Sequence, residues 1–150
     1  MALNITNRVT YEIDGSGNLT PTYEAINPST GLLESADEFK VYQGANKVNR
    51  VQLKSLLYNS TENDVKLLLS REQGNLLDSQ KMFYDTEQEA FYWDLTGNET
   101  LFGGTLRISF EVYNKGSINL ILATNTADIN ITRTSQRVID TGGESEFIRL

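Results

Sequence analysis

Three short stretches of the chain carry side chains whose types and spacing could do chemistry. VIDTGG, Val138 to Gly143, has the hydrophobic-hydrophobic-Asp-Thr-Gly opening of an aspartic protease, in which two carboxylates share one proton. Such a loop needs a whole sheet after the aspartate to hold it, and ten residues follow Asp140, so the motif is taken as a chance match. DGSGN, Asp14 to Asn18, spaces its oxygens like the first half of a calcium-binding EF-hand loop, but Ala25 stands where the bidentate glutamate belongs. Gly and Asn accept positive φ, so a hairpin turn is expected there instead. Glu87, Glu89 and Asp94 lie close in sequence, and a glycosidase needs two acids across a scissile bond. Nothing in the sequence sets their separation, and among 20 acidic residues they belong to a solvated face.

With no histidine and no cysteine, Ser-His and Cys-His catalysis and the usual zinc sites are excluded. No GxxxxGK[ST] or GxGxxG stretch is present to cradle phosphate, and Gly103-Gly104 is expected at a turn or bulge. No residue is assigned a catalytic role, and no cofactor or metal is expected. Recognition is the remaining chemistry, and its best candidates are the aromatics on polar faces: Tyr42, Tyr58, Tyr92 and Tyr113. Tyrosine buries a large area while its hydroxyl stays hydrogen-bonded, which suits a protein interface and equally suits stacking on a sugar. Trp93, the only tryptophan, shares the apolar side of its segment with Phe91 and Leu95 and is expected to fill the core.

These side chains must be positioned by strands, because period-2 alternation dominates the chain. Val9, Tyr11 and Ile13 alternate before the Asp14 turn, and a partner strand near Thr20 to Ile26 stops at the breaker Asn27-Pro28-Ser29-Thr30-Gly31. Further strands are expected at Phe39 to Val41, along VNRVQLKSLLY (Val48 to Tyr58), at VKLLLS closed by Gly74-Asn75, and over Gln80 to Tyr84. Ala90 to Leu95, Thr105 to Tyr113, Ile118 to Ala123 and Ala127 to Thr132 complete the series, with no amphipathic helix. In Thr105 to Tyr113, Leu106, Ile108, Phe110 and Val112 face one way and Arg107, Ser109, Glu111 and Tyr113 the other. The expected fold is all-β: a single-domain antiparallel β-sandwich, Ig-like or jelly-roll-like, with extended terminal arms. Its organisation is an N-terminal hairpin or arm over 1–37, a core domain over 38–134 and a C-terminal tail over 135–150.

A net charge of −7 opposes phosphate backbones, so nucleic acid is not an expected partner. No apolar stretch approaches the roughly 20 residues of a membrane helix, and no membrane partner is expected. MALNITNRV lacks the basic and apolar regions of a secretory signal, which points to synthesis in a cytoplasm. The Asn-x-Ser/Thr triplets at Asn4, Asn18, Asn59, Asn98 and Asn130 are what an Asn- and Thr-rich chain generates by chance.

From about Phe39 to Thr134 the order of segments resembles the N-terminal domain of phage baseplate upper proteins, from siphophages of low-GC Gram-positive bacteria. The resemblance is carried by VYQGANKVNRVQL (Val41 to Leu53), DVKLLLSREQG (Asp64 to Gly74) and KMFYDTEQEAFYWDLTGNET (Lys81 to Thr100). It continues through GGTLRISFEVYNKG (Gly103 to Gly116) and ADINITRT (Ala127 to Thr134). It implies a non-enzymatic virion protein, made in the bacterial host cytoplasm, that attaches to other virion proteins in baseplate, tail, collar or head fibre, and homo-oligomerises. Family members continue into a helical or linker region, whereas this sequence ends at Leu150, so a shorter virion component is expected. The alternative it leaves is a carbohydrate-binding, receptor-recognition module of a phage tail, with a host surface glycan as partner.

Overall fold

The computed structural model describes residues 5–43, 48–71, 76–96, 99–100 and 103–132. Among them there are twelve strands and no helix. They are β1 (Ile5–Ile13), β2 (Leu19–Ile26), β3 (Leu33–Ala36), β4 (Val41–Tyr42), β5 (Val48–Lys54) and β6 (Asn63–Arg71). Then come β7 (Leu76–Lys81), β8 (Phe83–Asp85), β9 (Ala90–Leu95), β10 (Gly104–Asn114), β11 (Leu120–Ala123) and β12 (Ala127–Thr132). Sheet A has the order β3-β2-β1-β5-β9-β8, and sheet B the order β4-β12-β10-β6-β7, with β11 pairing the far end of β10.

The two sheets face each other across one core, as the alternation requires. Sheet A contributes Val9, Tyr11, Val51, Leu53, Phe91 and Leu95, and sheet B contributes Val65, Leu67, Leu69, Leu106, Ile108, Phe110, Val112, Ile129 and Ile131. The Tyr11 and Phe110 rings meet between the layers with centroids 5.9 Å apart and planes tilted by 57°. Each fully buried aliphatic or aromatic side chain contributes about 1.5–3 kcal/mol.

Eight of the ten strand pairings among the described residues are antiparallel; β1 with β5 and β12 with β4 are parallel. A parallel neighbour needs a long return path, and β2, β3 and β4 supply it between β1 and β5. That path corrects the expected N-terminal arm. Residues Ile5–Ile13 form an inner strand of sheet A, with Val9 and Tyr11 in the core, because apolar alternation this regular is stable only when one face is covered. The hairpin part of the expectation is correct, with Ile13 opposite Leu19. The tail over 135–150 and the Gly74-Asn75 turn lie outside the described residues.

Three other departures have local causes. The strand expected to run to Tyr58 ends at Lys54, where the Ser55 hydroxyl accepts the Leu57 amide hydrogen and turns the chain. The strand expected over Gln80 to Tyr84 is split at Met82, whose amide donates to the Val65 carbonyl as the chain leaves sheet B for sheet A. β3 has four residues, two of them polar, too few for alternation to register.

Candidate interaction surfaces

The outer face of sheet A carries a polar row built by register. Glu24, Arg8, Arg50 and Asp94 lie side by side on β2, β1, β5 and β9. Arg50 grips Asp94 with both arms of its fork, Nε to Oδ1 at 2.7 Å and a second nitrogen to Oδ2 at 3.0 Å, while Arg8 Nε donates to Glu24 at 2.8 Å. Asp85 stands 3.8 Å from Arg50, and the Asp94 bond raises the guanidinium pKa further. Arg50 also lies 4.0 Å over the Tyr92 ring, a cation–π contact. One row along, Gln52 is buried; its amide donates to the Thr10 hydroxyl, and its Oε1 has no partner among the described residues.

At the β8 edge of this face Phe83 is 58% exposed. Its ring lies 5.8 Å from Tyr92 and 5.8 Å from Trp93, stacked on the latter within 9°. Trp93 packs against the core on one side but is only half-buried, and its indole N–H donates to both Glu99 carboxylate oxygens at 3.2 Å. It is thus a wall between core and surface, a correction to the expectation that it simply fills the core.

The four tyrosines do not converge. Tyr92 is on the outer face of sheet A, and Tyr113 is on the outer face of sheet B, its hydroxyl donating to Glu111 at 2.6 Å under the Lys66 ammonium. That bond to a carboxylate holds the Tyr113 hydroxyl above its ordinary pKa. Tyr42, on β4, is exposed and lines a depression of about 220 Å³ with Ile26, Pro28, Lys40 and Asn49. Tyr58 is half-buried against the core in the crossover between β5 and β6.

The acidic candidates are engaged locally. Asp14 Oδ1 accepts the Ser16 and Asn18 amide hydrogens at 2.8 and 3.0 Å, which lowers its pKa and makes it the brace of the hairpin turn. In that turn Gly17 has φ +86°, and a Cβ there would lie 3.0 Å from the Ala123 carbonyl oxygen, so only glycine fits. Glu87 and Glu89 sit exposed in the turn between β8 and β9, while Asp94 is held by Arg50. The VIDTGG stretch lies outside the described residues.

Composition and alternation missed the end of the sandwich opposite Tyr42. Leu56 is 104% exposed, Leu57 58%, Ile118 94%, Leu120 51% and Ile121 42%. A signal was available: two consecutive leucines, Leu56-Leu57, break strict alternation and put one apolar side chain on the wrong face of any strand.

Among solved structures, the N-terminal domain of phage TP901-1 ORF48 matches the fold with a TM-score of 0.51, covering 83% of this chain and 96% of that one at 9% sequence identity. No protein-family model and no curated protein sequence matches the chain. At that identity the likeness is one of fold.

Proposed function

We propose that this chain is a structural component of a bacteriophage particle, an attachment module that works by holding other virion proteins. The observation that carries the reading is the fold shared with a domain of a phage protein over nearly the whole of that domain. The segment order along Phe39 to Thr134, read independently, supports the same class. The polar side chains fit a scaffold: Arg8 with Glu24, Arg50 with Asp94 and Arg107 with Asp128 neutralise one another across strands rather than converging on a point. A module of this kind is present in many copies, so modest contacts multiply into lasting attachment.

The test is mass spectrometry and immunogold labelling of gradient-purified particles encoded by the same genome. The protein in fixed stoichiometry, at a discrete place on the particle, supports the reading; clean particles without it overturn it.

A second reading, recognition of a host surface glycan, is favoured by exposed Phe83 beside Tyr92 and Trp93, an aromatic edge flanked by Asp85 and Asp94. Binding on a glycan array that Phe83→Ala abolishes would establish it.

A further inference from the structure

Five exposed aliphatic side chains stand at one end of the sandwich, Leu56, Leu57 and Ile118 on loops that are tied together and Leu120 and Ile121 on β11. The crossover between β5 and β6 is locked by its own side chains: Asn59 Oδ1 accepts the Thr61 and Glu62 amide hydrogens, and Asn63 Oδ1 accepts that of Asn59. The hairpin between β10 and β11 is fastened to this crossover, the Lys115 amide donating to the Glu62 carbonyl and its ammonium to the Ser60 carbonyl. On the other flank the turn between β1 and β2 meets the end of β11, the Asn125 amide donating to the Gly17 carbonyl. Leu56, Leu57 and Ile118 are therefore held out by braced loops, and their presentation to a partner costs little ordering entropy.

Two properties of this end decide what partner it fits. It is self-complementary: Leu56, wholly outside, stands on the rim of a depression of about 480 Å³ that it lines with Ile13, Leu57, Lys54 and Glu12, so knob and hole belong to one patch. That is the condition for an isologous contact, in which each copy fills the other. Its loops are also uncharged: no Asp, Glu, Lys or Arg occurs in 55–61, nor in 116–127, which is the longest uncharged run of the chain, and the charges that line the depression, Glu12, Asp14 and Lys54, are of both signs. Two molecules of net charge −7 repel, and they can approach closely only where such stretches meet.

We propose that this end is the self-association surface of the chain, and that a second copy docks on it about a twofold axis with Leu56 of each copy in the depression of the other. In this arrangement Ile118, Leu120 and Ile121, exposed on and beside the hairpin fastened to the crossover, add apolar area, and Glu12, Asp14 and Lys54 line the depression. The proposal deepens the assembly reading and rests on it only for the biological setting, since association of the purified chain holds or fails whether or not the protein is found in particles.

Sedimentation equilibrium of the full chain over a concentration series tests it. The expected result is a reversible dimer that strengthens with added salt, because screening removes repulsion while apolar contact persists. Leu56→Asp should weaken the dimer at least about tenfold, with circular dichroism unchanged, and Ile118→Asp should weaken it by less. Leu32→Asp, at an exposed leucine in the turn at the opposite end, should leave it unchanged. A chain that stays monomeric throughout, a dimer indifferent to Leu56→Asp, or one lost equally with Leu32→Asp overturns the proposal.

Discussion

Arg50 and Asp94 face each other across β5 and β9 as a bidentate pair, with the Arg50 guanidinium 4.0 Å above Tyr92. Arg50 is only 9% exposed, so losing Asp94 leaves a mostly buried guanidinium with the more distant Asp85 carboxylate and the Tyr92 ring as its compensation. Asp94→Ala should destabilise the fold by about 2–4 kcal/mol, more than a surface ion pair would, as read by urea denaturation. Arg50→Lys should recover only part of this, because an ammonium cannot engage both carboxylate oxygens.

Gln52 makes the opposite case. Its Oε1 is buried without a partner, so removing the amide costs one bond to Thr10 but relieves a desolvated carbonyl. Gln52→Met should change stability by less than about 1 kcal/mol in either direction, whereas Gln52→Glu, which buries a charge, should cost more than about 2 kcal/mol. Denaturant midpoints of the two variants, measured side by side, check the contrast.

Asp64 ties sheet B to the hairpin between β10 and β11. Its carboxylate accepts the Gly116 amide hydrogen at 2.9 Å, with the Lys115 and Lys81 ammonium groups 3.4 and 3.6 Å away, and the Gly116 bond is the chief reason its pKa lies below the ordinary 3.8. A carboxylate with a lowered folded-state pKa stabilises above its unfolded value, and that contribution is lost as pH falls through the folded value. Stability should therefore decline as pH drops from about 5 toward 2, and the decline should be shallower in Asp64→Asn. Thermal melts across that range measure both slopes.

Phe83 shields one face of Trp93, the only tryptophan, so fluorescence reports on this edge directly. Phe83→Ala should shift the emission to longer wavelength while costing less than about 1 kcal/mol, because Phe83 is itself mostly exposed. An unshifted spectrum would mean that the stacked arrangement does not persist in solution.

Much of this molecule was legible in its residues. Alternation from Leu106 to Val112 named the core face of β10 correctly, and Val9, Tyr11, Val51, Leu53, Val65, Leu67 and Leu69 lie inward as their spacing required. The Asp14 turn was likewise readable, because Asp, Gly and Asn at those positions form their own local hydrogen bonds. Of the candidate tyrosines, Tyr92 and Tyr113 lie on outer faces as their spacing implied, whereas Tyr58 packs against the core from the crossover after Lys54, and that the tyrosines point in different directions was not legible.

By itself, then, the amino-acid sequence determined the all-β class, the inward and outward side of most strands, and the absence of histidine and cysteine chemistry, since each is a property of residue type or of spacing by two. Tertiary structure alone decided that β1 lies inside sheet A, that the chain turns at Ser55, that Arg50 meets Asp94 across 44 residues, and that five aliphatic side chains are left exposed at one end. The reason is range: alternation acts between neighbours along the chain, while strand order and pairing arise from burying every apolar face at once.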